Sequence, residues 1–184
     1  MMLKNFLKFI ENHLWDNKFR KLIFNPKIIH SLSVLSLYKL GTHLKEEEDG
    51  QRKDVRHWSR YCLWIIQFYG NEQDQTELFK IGYGRVISIA FCTAGGVGEE
   101  EDAEIFNGLF YFSRFLRQLH EGRARQPSLQ QLPLLVRRTE EQMEEEGSNE
   151  ELQAQIKINR YYGYIKKEAN LAKAVILNHF IHKD

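Results

Sequence analysis

The sequence predicts an all-α fold, and three observations lead there. No proline lies between Pro26 and Pro127, so nothing in that stretch forces a break in a helical hydrogen-bond ladder. Apolar residues recur at three- and four-residue spacing through most of the chain. No segment reads securely as a strand. The expected architecture is one domain, 1–184, of seven or eight helices around a central hydrophobic helix, with a charged hinge near 140–151.

Taken in order, Leu3, Phe6, Leu7, Ile10 and Leu14 make one apolar stripe on a first helix, with Lys4, Lys8 and Glu11 largely opposite. Such a basic amphipathic helix packs in a bundle or touches a membrane surface. Asn25 then reads as a helix cap with Pro26 in the first turn. The apolar series Ile29, Leu32, Leu37, Leu40 and Leu44 carries that helix to Leu44. Glu46 to Lys53 reads as a polar turn around Gly50. Asp54 is the expected cap of a helix bearing Val55, Trp58, Tyr61, Cys62, Ile65 and Phe68, stopped by Gly70-Asn71. A short helix starts at Asp74 or Thr76.

The run Val86–Ala94 is the expected central helix, entered through Gly82-Tyr83-Gly84 and stopped by Gly95-Gly96, with Val86, Ile89 and Ala90 in the core. Glu99–Asp102 suits the acidic first turn of a helix that buries Ile105, Leu109, Phe112, Phe115, Leu116 and Leu119. Residues 122–133 form a linker, and a helix from about Leu134 runs into the hinge. Leu152, Ile156, Ile165, Ala169, Ala172, Val175 and Ile176 belong to the C-terminal helical stretch, weakened at Gly163.

Composition sets limits on function. The chain is 42% hydrophobic and 28% charged, which is globular rather than disordered. A net charge of +1 conceals blocks of one sign, the acidic ones at Glu46–Asp49, Glu99–Glu104 and Glu140–Glu151. No signal peptide and no uncharged run long enough for a membrane span is legible. Cys62 and Cys92 lie in apolar surroundings, which points to core thiols in a reducing, cytoplasmic compartment rather than to secretion.

Chemistry-bearing motifs are lacking. Ile87 stands where a dinucleotide fingerprint starting at Gly82 needs its third glycine, and Gly95-Gly96-Val97-Gly98 runs into four acids that repel a phosphate. His179 and His182 have no local cysteine or carboxylate to complete a metal set. Neither cysteine has a neighbouring histidine, and Ser31, Ser33 and Ser36 occupy apolar helical positions. The expectation is a protein with no catalytic residues, no metal and no cofactor, and hence not an enzyme.

Two kinds of partner fit. Arg114, Arg117, Arg123, Arg125, Arg137 and Arg138 lie near Phe110, Tyr111 and Phe115, and Arg160, Lys166 and Lys167 interleave with Tyr161, Tyr162 and Tyr164. Cations neutralise phosphates and exposed aromatics stack on bases, so these positions suit RNA or DNA, in an oligomer or in a viral protein.

The second kind rests on Glu77-Leu78-Phe79, followed by Gly84-Arg85-Val86-Ile87 and a hydrophobic helix. This resembles the first homology motif of the B-cell lymphoma two family of apoptosis regulators, and Leu37-x-x-Leu40-Gly41-x-x-Leu44 resembles that family's short death motif. The resemblance covers about Leu37–Gln118. Thr42 replaces the usual aspartate, Gly82-Tyr83 replaces Asn-Trp, and the second homology motif has no counterpart. It implies a viral-type regulator without a membrane tail, whose groove sequesters amphipathic helical peptides. By resemblance Phe79, Tyr83, Gly84 and Val86 would belong to that groove, and Arg85 would pair with a peptide carboxylate. A non-enzymatic, partner-binding helical protein is therefore the expected function.

Overall fold

The computed structural model describes residues 2–13, 16–40, 46–92, 101–124, 128–157 and 163–181. Among them the fold is all-α. The helices are α1 (Met2–His13), α2 (Asn17–Ile23), α3 (Pro26–Ser36), α4 (Glu46–Tyr69), α5 (Glu72–Lys80), α6 (Tyr83–Phe91), α7 (Asp102–Glu121), α8 (Pro133–Glu145), α9 (Ser148–Lys157) and α10 (Tyr164–Ile181). Ten described helices stand where seven or eight are expected, because α2 is additional and the C-terminal stretch is two helices, α9 and α10. Asp16 caps α2 by accepting from the Lys18 amide, and Gly147, at φ 72°, turns the chain between α8 and α9. Contacts cluster into two compact units, Met1–Val86 and Ile87–Asp184.

In the first unit α4 is the spine, with α1, α3 and α5 packed on it. Leu7 and Ile10 of α1, Ile29 and Leu32 of α3, Leu78 of α5 and Cys62, Leu63, Ile65 and Ile66 of α4 are all buried. The cap at Asn25 is as the sequence predicts, its side chain accepting from the Lys27 amide at 2.9 Å.

Three boundaries differ. Helix α3 stops at Ser36 rather than Leu44, where Ser36 Oγ donates to the Leu32 carbonyl at 2.7 Å and Lys39 turns to φ 49°. Helix α4 begins at Glu46, so the expected polar turn is helical. Arg52 reaches back to Glu48 at 3.5 Å and Asp49 at 3.3 Å, which holds the first turns together despite Gly50. Helix α5 begins at Glu72 under a full capping box: the Asp74 amide donates to Asn71 Oδ1 at 3.1 Å, and the Asn71 amide donates to Asp74 Oδ2 at 2.8 Å. Asn71 thus starts a helix directly after the one it closes.

In the second unit α10 packs on α7 and α9, and α8 packs on α7 and α9. The predicted buried face of α7 is found as expected, from Ile105 to Leu119. Gly108 brings its backbone against the end of α6; a Cβ there would lie 3.1 Å from Ala90 Cβ. Phe91 and Phe112 meet edge to face at 5.3 Å. The 122–133 linker is tied down, with Arg123 and Leu129 bridged through their backbones and the Leu132 amide donating to the Leu119 carbonyl. Glu140–Glu145 continue α8, so the chain reverses only at Glu146–Gly147.

Helix α6 is apolar as expected, but it begins at Tyr83 rather than Val86, so Tyr83-Gly84 belong to its first turn; the expected stop at Gly95-Gly96 lies outside the described residues. Tyr83, Val86, Ile87, Ala90 and Phe91 are buried. Ile89 is a correction: it is half-buried, one turn from exposed Arg85, and Ile87 takes the core position instead.

Candidate partner-binding site

The residues implicated by resemblance surround the α5–α6 turn. Gly82 has φ 70°, a conformation that favours glycine, and Ser33 Oγ donates to the Ile81 carbonyl at 3.3 Å, fixing the turn to α3. Tyr83 and Val86 are 0% and 2% exposed, Gly84 is buried and Phe79 is half-buried. Of the five, Arg85 alone presents itself to solvent. Three of the five are thus buried, Phe79 is half-buried and Arg85 is exposed. Leu37 and Leu40 lie in the turn after α3, off any helical face, and Gly41, Thr42 and Leu44 lie outside the described residues.

The cationic set is spread over several elements. Arg114 is exposed on α7 with its guanidinium 5.1 Å from the Phe110 ring centre. Arg117 approaches Glu121 at 3.9 Å, and Arg137 donates to Glu141 at 3.0 Å. Each of these two meets a carboxylate one turn along its own helix, which lowers the positive potential a phosphate would meet. Arg123 is half-buried in the bridged loop, while Arg138, Lys166 and Lys167 are exposed. Arg125, Arg160, Tyr161 and Tyr162 lie outside the described residues, as do the side chains of His179 and His182. No described cluster of three or more His, Cys, Asp or Glu side chains is placed to hold a metal.

A buried polar cluster that the sequence did not disclose joins α6 to α9. Ser148 Oγ donates to Ser88 Oγ at 2.8 Å; Gln155 Nε2 donates to Glu151 at 2.7 Å and to the Phe91 carbonyl at 3.4 Å. Cys92 lies beside it, and burial, then the Glu151 and Glu146 carboxylates, push its thiol up to about 12. A thiol held protonated is a poor nucleophile. The described members of this cluster include no histidine to activate either serine. Its evident work is to fasten α9 to α6.

Between α9 and α10 lies an open groove of about 320 Å³. Leu152, almost fully buried, is its floor, and Ile176 and Leu177 form the apolar wall. Lys173 stands on the α10 side, and Asn149, Glu150 and Gln153 on the α9 side. The sequence origin is clear in retrospect. Ile165, Ala169, Ala172 and Ile176 are one stripe at helical spacing; the first three are buried, and Ile176 is only half-buried. Val175, Ile176 and Leu177 are consecutive, and three consecutive apolar residues cannot all face one side of a helix. That surplus was the available signal.

The volume is at the low end of the roughly 300–1,000 Å³ of ligand pockets, enough for a few apolar side chains. No described helix is long and apolar enough to cross a membrane. Comparison with family models, curated proteins and solved structures finds no match, so the functional reading rests on these residues themselves.

Proposed function

We propose that this chain is a non-enzymatic protein that binds an amphipathic helix of a protein partner in the α9–α10 groove. The observation that carries the reading is the half-exposed continuation of the α10 core stripe, Ile176 beside Leu177 above the Leu152 floor. A partner helix would place apolar anchors there, as in helix-in-groove recognition. Lys173 on one rim and Glu150 on the other offer opposite charges to fix its direction. The resemblance at Glu77–Phe79 and Gly84-Arg85 suggests the same class of ligand and an apoptosis-regulating role. Two free cysteines support action in a reducing compartment such as the cytoplasm.

Calorimetry tests this with a synthetic amphipathic helical peptide carrying leucines at i, i+4 and i+7 and a flanking aspartate. Binding should weaken at least about tenfold in Leu177→Glu, because a carboxylate would be desolvated against the peptide's apolar face. The variant's melting temperature should hold, since Leu177 is 47% exposed. Arg85→Glu should bind like the parent. Loss of binding in Arg85→Glu but not in Leu177→Glu would move the site to the α5–α6 turn and overturn the groove reading.

A further inference from the structure

Within the first unit, α1 and α2 carry a strip of apolar side chains, exposed at Phe6, Phe9 and Leu22 and half-buried at Phe19. Phe6 is 58% and Phe9 49% exposed, three residues apart on the flank of α1 next to its buried Leu7 and Ile10. Phe9 meets Phe19 of α2 edge to face, ring centres 5.7 Å apart. Leu22, 68% exposed, stands one turn beyond Phe19. The strip therefore runs Phe6, Phe9, Phe19, Leu22 across both helices.

Charge borders it on one side. Around α2 at helical spacing the order is Ile23, buried; Phe19, half-buried; Leu22, exposed; then Lys18 and Lys21, both exposed. Two further cations are held elsewhere: Lys8 Nζ lies 5.4 Å from the Trp58 ring centre and the Arg20 guanidinium 4.2 Å from that of Tyr69. Asp16, the cap of α2, accepts from the Lys18 amide through its carboxylate.

We propose that this strip seats the protein on an anionic lipid bilayer. Phe6, Phe9 and Leu22 enter the boundary between headgroups and acyl chains, while Lys18 and Lys21 meet lipid phosphates and carboxylates. An apolar edge passing directly into lysines on one amphipathic surface is the arrangement of a helix lying in a membrane interface. The complementary charge selects a negative lipid surface over a second copy of the chain, whose strip would present the same lysines.

Flotation of the full chain with phosphatidylcholine vesicles, with and without about one-third phosphatidylserine, tests the proposal. Capture should require the anionic lipid and should fall steeply with added salt. Lys18→Gln with Lys21→Gln should weaken it about twentyfold, at roughly fivefold per basic residue near the surface. Leu22→Asp should abolish capture while the helical circular dichroism of the folded chain is retained; Phe6→Ser is the second variant, should Leu22→Asp not fold. No capture by anionic vesicles would overturn the proposal, as would capture unchanged in these variants. So would sedimentation showing a dimer that Leu22→Asp or Phe6→Ser dissolves, since the strip would then be an interface between copies.

Discussion

Arg52, Arg56 and Arg60 recur every four residues on α4, and all three are buried, at 5%, 2% and 1% exposure. Arginine is rarely enclosed unless paired, and here Arg52 meets Glu48 and Asp49 while Arg56 donates to the Tyr38 carbonyl at 3.3 Å. Composition gives no hint of this, because a charged residue in a sequence is read as solvated. Arg56→Ala should destabilise the protein by about 1.5–3 kcal/mol, the worth of a charged hydrogen bond whose acceptor is left behind. Arg114→Ala, at an exposed site, should stay within about 0.5 kcal/mol. Urea denaturation of both variants checks the contrast. Cys92 makes a second residue-scale prediction. Its thiol titrates at about 12 in the fold against 9.0 ordinarily, so between those values the folded chain keeps a proton that the unfolded chain releases. Stability is untouched below that window and falls as pH rises through it. Melting curves at about pH 8 and pH 10.5 should show a smaller loss for Cys92→Ala than for the parent.

At the scale of elements, a helix start marked by side chains in the expected place was legible at α3, with Asn25 as its cap and Pro26 as its first residue. At α7 the start lay further on than expected: Glu101 is the cap, and Asp102 and Glu104 are the acids of the first turn. The buried face of α7 was legible too, because Ile105 to Leu119 keep one period throughout. Ends were harder. The apolar series into Leu44 kept a helical spacing past Ser36, but the Ser36 hydroxyl and the positive φ of Lys39 end α3 first. Gly50 and its charged neighbours read as a turn, yet ion pairs one turn apart keep them in α4. For α6 two of the three expected core positions, Val86 and Ala90, are buried, and the third is taken by Ile87 in place of Ile89. Ile87→Asp should therefore bury an unpaired carboxylate and cost several kcal/mol, enough to unfold a protein of ordinary stability. Ile89→Asp, on the half-buried side with Arg85, should cost much less. Thermal melts that rank Ile89→Asp as the more damaging would show that the assigned face of α6 is wrong.

For the whole molecule, the all-α class was readable because periodicity and the lack of proline are properties of long stretches. The candidate site was not, because it depends on how two segments separated by 158–162 come together. Leu152 and Ile176 each belong to an ordinary apolar stripe, and neither announces a groove alone. The net charge of +1 and the ion pairs of Arg117 and Arg137 lower the positive potential that a phosphate would meet, which is why a protein partner is preferred here to nucleic acid. Backbone amide shifts during titration with the synthetic peptide locate most directly the place where an amphipathic helix binds. The amides of 149–153 and 173–177 should move first and saturate together. Shifts gathered instead at Gly82–Val86, or no shift anywhere at millimolar peptide, would contradict binding in the α9–α10 groove.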